Sequence, residues 1–171
     1  MTAALADRID HLTAAIGRAA AWLSLAIVAI QFIVVLLRYL FGTGSIWLSE
    51  TIIYSHAALF MLTAAWTLRE EGHVRVDIFY SRALPRNKAL VDLIGAFALL
   101  MPFALALGLL SLPYVARSWS TLERSRETSG LPLVFLLKTL IPVFALLLFL
   151  QGLSQALRAA ARIAAQKQAP R

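Results

Sequence analysis

The sequence predicts an all-α integral membrane protein with four transmembrane helices and an N-terminal amphipathic interfacial helix. Of its 171 residues, 60% are hydrophobic and only 15% are charged, whereas soluble domains average about 45–50% apolar and about 25% charged residues. The apolar residues also fall into four runs of 18 to 24 residues that carry no Asp, Glu, Lys or Arg. About 20 helical residues cross the hydrocarbon layer of a bilayer, so each run is long enough to span it.

The first element is an N-terminal arm, residues 1–18. Leu5, Ile9, Leu12 and Ile16 recur at spacings of four, three and four residues, which places them on one face of a helix. We expect this amphipathic helix to lie in the membrane interface. The alternative is a frayed tail.

The four spans follow at residues 19–37, 46–68, 93–116 and 139–157. They form a single transmembrane domain over residues 1–171, because the loops are too short to hold an attached catalytic domain. The first run lacks the small-residue cleavage pattern of a signal peptide, so we expect it to remain as a span. Chain composition excludes chemistry that depends on a thiol, because there is no cysteine.

The distribution of basic residues predicts the orientation. Eleven Lys and Arg lie on the side that holds both termini and the loop between spans two and three, and five lie on the other side. Cytoplasmic loops carry the excess of Lys and Arg, so both termini are predicted to be cytoplasmic. The net charge of +7 is then explained by contacts with lipid headgroups rather than by nucleic acid.

Polar residues inside or beside the spans are the candidate functional groups, because burying them in hydrocarbon is costly. Glu50 begins the second span, where a proton or cation site and an ion pair with Arg38 or Lys138 are the two interpretations. The pairing is the simpler one. Lys138 is expected at the outer interface, after a short interfacial segment at 131–137.

His56 lies near the middle of the second span. A haem would usually need a second axial ligand, and His11 and His73 are both far away in the sequence. We therefore expect a neutral imidazole that is hydrogen-bonded to a neighbouring helix, with Gln31 of the first span as the candidate partner.

Several stretches resemble one family. They are Arg38-Tyr39-Leu40-Phe41-Gly42, Ile46-Trp47-Leu48-Ser49-Glu50, Thr67-Leu68-Arg69-Glu70-Glu71-Gly72-His73-Val74-Arg75-Val76-Asp77, Ser129-Gly130-Leu131-Pro132, Ile141-Pro142 and Gln151-Gly152. The arginine-aromatic end of span one, the Trp-x-x-Glu entry to span two and the His-Val-x-Val-Asp segment after it are similar to the small membrane subunit of tripartite ATP-independent periplasmic (TRAP) transporters, the DctQ-type family.

That resemblance implies a function. A periplasmic substrate-binding protein would capture an organic acid or a related solute, and a large permease subunit would carry the substrate and Na⁺ sites. The small subunit would pack against the large one as a non-catalytic scaffold in the bacterial inner membrane. It would hold no cofactor of its own, with Na⁺ bound in the large partner. Trp47, His73 and Asp77 would be structural or partner-contact residues.

The residues themselves leave the His73–Asp77 segment open between two conformations. In a helix the two side chains would share a face at i and i+4, whereas the alternation of the segment also allows an extended strand. We favour a short helix lying flat on the cytoplasmic face, with Val74, Ile78 and Phe79 towards lipid or the partner.

Two other functions are carried as alternatives. One is a self-contained four-span proton-coupled exporter that acts as a dimer, with Glu50 exchanging protons. The other is a haem-bearing membrane anchor that uses His56. The sequence lacks an acidic residue near the middle of any span, which favours a supporting subunit over a transport path.

Overall fold

The computed structural model describes residues 2–74 and 80–168. Its helices are α1 (Thr2–Phe41), α2 (Ile46–Arg69), α3 (Pro85–Ile94), α4 (Met101–Ser120) and α5 (Val134–Gln168), and a π-helical turn at Gly95–Leu100 joins α3 to α4. In the described part of the chain, four helical stretches are long and apolar enough to cross a membrane. This confirms the predicted all-helical fold with four membrane-spanning helices.

Helix α5 is the centre of the molecule. It contacts α1, α2, α3, α4 and the π turn, whereas α4 packs only on α5 and the π turn among the described elements. Helices α1 and α2 form an antiparallel hairpin. We call the end of the bundle with the 42–45 and 121–133 loops the loop end, and the end with both chain termini the terminus end.

The core between the helices is built from small and branched apolar side chains. Its buried residues are Ala64, Ala65, Ala104, Leu147 and Leu148. Small residues let helices approach closely where no hydrophobic force draws them together in lipid. The close packing extends to Gly108, where an added Cβ would lie 3.5 Å from the Cβ of Ala145.

The π turn lies directly before Pro102. A proline ring in a regular helix clashes with the carbonyl four residues earlier, and proline has no N–H to donate. The wider turn accommodates the ring, and the Met101 N–H bonds to the Ala96 carbonyl five residues back. The third span is therefore a single helical rod from α3 to α4.

The N-terminal arm is helical, but it is not a separate interfacial helix. Helix α1 runs without a break for 40 residues, so the arm continues directly into the first span. Of the predicted apolar stripe, Leu5 and Leu12 are each 48% exposed, whereas Ile9 is buried together with Ala6, Asp10 and Thr13. The arm turns this small and polar face to the protein because α5 offers it hydrogen-bond partners.

Helix α2 ends in a tight turn. The Gly72 N–H donates to the Thr67 carbonyl at 2.9 Å, and Glu71 takes a left-handed backbone conformation with φ of 54°. His73 follows in an exposed position. The predicted flat helix and the His73–Asp77 contact depend on residues 75–79, which lie outside the described residues.

Candidate functional site

Three groups of polar side chains interrupt the apolar surfaces of the bundle. The first lies at the loop end, around Glu50 in the first turns of α2. One carboxylate oxygen accepts a hydrogen bond from the Ser125 hydroxyl, and the other accepts from the Leu131 N–H at 2.5 Å. The loop itself is closed by a bond from the Ser125 N–H to the Leu131 carbonyl at 3.1 Å. Glu50 therefore fastens the 121–133 loop to α2.

Gly130 leaves room for this contact between Glu50 and the loop. An added Cβ at Gly130 would lie 2.7 Å from a carboxylate oxygen of Glu50, well inside the van der Waals distance. The atoms nearest to that Cβ belong to Ser125 of the same loop, so a side chain at position 130 would displace both the Ser125 hydroxyl and the carboxylate that it binds. The Ser129-Gly130-Leu131-Pro132 stretch thus has a local structural reason for its glycine.

The predicted pairing of Glu50 with Arg38 or Lys138 is wrong. Lys138 instead binds Glu123 at 2.5 Å, and its ammonium group lies 4.0 Å from the ring centroid of Tyr114. The 121–133 loop folds back over α2, so Glu50 binds the Ser125 hydroxyl and the Leu131 N–H of that loop instead. The hydrogen bond from Lys138 lowers the pKa of the Glu123 carboxyl below its ordinary value of 4.5.

A second set of side-chain contacts holds the end of α4 against the start of α5. The indole N–H of Trp119 donates to the Thr139 hydroxyl at 2.9 Å. The same indole meets the ring of Phe135 edge-on, with centroids 4.7 Å apart. The whole loop end is thus linked through side chains of α2, α4 and α5.

The second polar group lies at the terminus end, between α1 and α5. One oxygen of Asp10 accepts from the Gln151 amide at 3.0 Å and from the Ser154 hydroxyl at 2.7 Å. The other accepts from the Arg158 guanidinium, with Nε at 3.0 Å and a terminal nitrogen at 2.5 Å. The Thr13 hydroxyl donates to Oε1 of the Gln151 side chain at 2.8 Å.

This buried network satisfies the polar groups of both helices. Asp10, Thr13, Gln151 and Ser154 are all buried, and buried polar atoms are stable only when they are hydrogen-bonded. Asp7 adds an exposed contact at 2.8 Å to the same terminal nitrogen of Arg158 that binds Asp10. An open cavity of about 300 Å³ adjoins the network and is lined by charged residues of both signs, including Arg69, Asp92 and Arg162.

The third group consists of two exposed polar side chains on the α1–α2 hairpin. Gln31 and His56 are both exposed, and each lies ten residues from the end of its helix at the 42–45 loop. They share a depth, yet no hydrogen bond joins them in the described structure. The predicted Gln31–His56 bond is therefore wrong, because both side chains lie on the outside of the hairpin rather than between its helices.

The remaining candidates are exposed. Trp47 is 51% exposed, and Arg38 and His73 lie on the surface. Asp77 is outside the described residues. Within the described residues, no group of three or more His, Cys, Asp or Glu side chains is placed to hold a metal ion.

The terminus-end network was not predicted, although the sequence carries a signal for it. Gln151, Ser154 and Arg158 recur at three and four residues inside and just after the last apolar run. On α1, Ala6, Asp10 and Thr13 recur at the same spacings. A helical stripe of polar and small residues, read beside the leucine stripe, would have predicted that these two helices meet.

Comparison with known proteins identifies the family. A model of the family described as "Tripartite ATP-independent periplasmic transporters, DctQ component" matches residues 27–162, about four-fifths of the chain. No curated protein and no solved structure matches the chain. The matched region runs from the middle of α1 to the Arg158 turn of α5, and so includes Glu50, His56 and Gln151. The chain therefore belongs to the DctQ family and is the small membrane subunit of a TRAP transporter.

Proposed function

We propose that this subunit is a scaffold that packs against the large permease subunit and supports Na⁺-coupled, binding-protein-dependent uptake of an organic acid or a related solute. It lies in the bacterial inner membrane with both termini in the cytoplasm. The substrate and Na⁺ sites belong to the large subunit, and the periplasmic binding protein delivers the solute.

The observation that carries this proposal is where the polar groups lie. The middle of the bundle is packed with alanines and with Leu147 and Leu148. The carboxylates of Glu50 and Asp10 are instead used in contacts that hold a loop and two helices together. A carboxylate whose two oxygens are both hydrogen-bonded to the protein can hold a loop or two helices together. The same bonds leave it poorly placed to bind and release a transported ion.

The same observation weakens the exporter alternative. A proton-exchanging carboxylate should face a central cavity, whereas both oxygens of Glu50 are bonded to the 121–133 loop. Glu50 also lies four residues into α2, close to the loop end rather than at mid-depth.

Reconstitution into liposomes tests the proposal. We expect no uptake of organic acids by this chain alone, and uptake with the large permease, the binding protein and an inward Na⁺ gradient together. Omission of this chain should abolish or strongly reduce that uptake. Solute flux through liposomes that hold this chain alone would overturn the scaffold proposal, and its loss in Glu50→Gln would support the exporter.

A further inference from the structure

The outer face of α2 carries an unsatisfied polar group at mid-depth. This face consists of Ile53, His56 and Phe60, at spacings of three and four residues. Ile53 is 59% exposed and Phe60 is 63% exposed, and His56 lies exposed between them. No other described element packs over this surface, which is largely exposed.

His56 is too deep to reach either end of the span. It lies eleven residues after the Ser45 cap and thirteen before Arg69. At about 1.5 Å per residue, those separations are roughly 16 Å and 20 Å. Even the long Lys and Arg side chains extend their charges to the interface only from near the ends of a span, and an imidazole is shorter still.

Several hydroxyls along α2 bond to the helix's own backbone, and the unpartnered Tyr54 hydroxyl is buried inside the bundle rather than on this outer face. The Ser49 hydroxyl donates to the Ser45 carbonyl at 3.0 Å, and Thr63 donates to the Leu59 carbonyl at 2.7 Å. His56 makes no comparable bond to any described residue. A neutral imidazole offers one N–H donor and one acceptor nitrogen, and lipid tails satisfy neither.

We propose that the outer face of α2 docks against a membrane-spanning helix of the large permease subunit, which offers a hydrogen-bonding group to His56. This inference rests on the proposed scaffold function. The partner helix is apolar opposite Ile53 and Phe60 and carries a polar side chain or a free carbonyl at mid-depth. Hydrogen bonds and close packing, rather than apolar burial, drive helix association in lipid.

A second copy of this chain fits the same face less well. Two-fold packing across α2 would place His56 against His56, and one N–H···N bond between two neutral imidazoles leaves a donor and an acceptor unused. A helix of different sequence offers complementary groups to both nitrogens. We therefore commit to the large subunit as the occupant.

Cross-linking tests the location of the contact. The chain has no cysteine, so Ile53→Cys and Phe60→Cys each introduce a single site for a photoreactive maleimide label. The matched control is Leu110→Cys on α4, where the native side chain is 79% exposed. In membranes that also contain the large permease, we expect cross-links to that subunit from positions 53 and 60 but not from 110.

Substitution of His56 tests the chemistry. We expect His56→Leu to weaken co-purification with the permease by about threefold to twentyfold, the range of single hydrogen bonds in membranes. His56→Gln keeps a donor and an acceptor and should restore most of it. Thr63→Val lies on the same helix but removes a hydroxyl that bonds to its own backbone, so it should have little effect.

The outcomes separate the two proposals. If the wild-type chain does not co-purify with the permease, the scaffold function is wrong. If it co-purifies while positions 53 and 60 give no cross-link, or give a product of two copies of this chain, only the docking face is wrong. Equal binding by wild type and His56→Leu would contradict the hydrogen bond.

Discussion

Asp10 is bonded through both of its carboxylate oxygens to three side chains of α5. Its side chain is 10% exposed, so these bonds replace most of its hydration. Leaving a buried donor without its acceptor costs about 1–3 kcal/mol. The contribution of Asp10 to stability should therefore exceed that of an ordinary surface acid.

We expect Asp10→Asn to lower the free energy of unfolding by about 1–3 kcal/mol, because the amide offers one acceptor oxygen to donors that now occupy two. Unfolding in mild detergent with added dodecyl sulfate measures the change. Asp7→Asn is the matched control, since Asp7 binds the same Arg158 but is 58% exposed. It should cost less than about 1 kcal/mol, and equal losses would contradict the buried network.

At Glu50, the expected effect is local. Glu50→Gln replaces a charged acceptor with a neutral amide whose nitrogen cannot accept, and so weakens the charge-assisted bonds to the Ser125 hydroxyl and the Leu131 N–H that hold the 121–133 loop. Trypsin cleavage after Arg124 and Arg126 should then become at least severalfold faster in detergent.

Glu127→Gln is the control for that experiment. Glu127 lies in the same loop, and its side chain accepts no hydrogen bond in the described structure, so the cleavage rate should match that of the wild type. Unchanged cleavage in Glu50→Gln would mean that the carboxylate does not hold the loop.

Residue contacts were the least predictable level. Glu50 was singled out from the sequence, yet its partners were assigned by charge to Arg38 and Lys138. The true partners are a hydroxyl and a backbone N–H, brought there by a loop whose course no periodicity reveals. Charge complementarity suggests which ion pairs can form, but the path of the loop determines which donor lies beside the carboxylate.

Helix packing between α1 and α2 depends on Gly17. An added Cβ would lie 2.6 Å from the Cβ of Trp66, and overpacking of this kind costs about 1–3 kcal/mol. We expect Gly17→Ala to lower the melting temperature of the detergent-solubilised protein by several degrees. Gly95→Ala is the helical control, because nothing lies within 4 Å of its added Cβ. It should be neutral or stabilising.

The link between the loop and α5 should depend on pH. The pKa of Glu123 lies below 4.5 because Lys138 donates to its carboxylate. A depressed acid pKa stabilises the folded state fully above the unfolded value and loses that effect as pH falls through the folded value. The melting temperature of wild type should thus exceed that of Lys138→Met above pH 4.5, and the difference should shrink below it. A constant difference at all pH values would contradict the pair.

At the level of elements, the sequence predicts which helices exist better than it predicts where each helix begins and ends. The first, second and fourth predicted spans fall within α1, α2 and α5, and the third crosses α3, the π turn and α4. The arm was assigned a separate helix because its leucines form a stripe, but α1 continues through it. Hydrogen bonds to α5 shifted the buried face, so that Ile9 stays buried beside Asp10 and Thr13 while Leu5 and Leu12 are half-exposed.

For the whole molecule, the arrangement of the helices was beyond sequence reasoning. A lipid-facing surface and a protein-facing surface are both apolar, so periodicity does not distinguish them. The central place of α5 is marked only by its small and polar residues, Ala145, Gln151, Gly152 and Ser154. The stretch Gln151-Gly152 did enter the family resemblance, although its position between helices was not inferred.

The low burial of the four spans also fits a subunit that functions as part of a complex. In the most apolar stretch of each candidate span, only 11–22% of the residues are buried. Many of the other apolar side chains are exposed, and they are covered by lipid or, on our proposal, by a larger partner.

The π turn at Gly95–Leu100 has a consequence for how the chain tolerates changes of length. Such a turn holds one residue more than an α-helix needs between flanks that keep their phase. Deletion of Ala98 should therefore leave Ala104 and Gly108 facing α5, and the protein should remain monodisperse in detergent. Deletion of Leu150 from α5 would rotate everything beyond it by about 100° and separate Gln151 from Asp10. On this prediction, the third span contains a place where a single residue can be removed without disassembling the bundle.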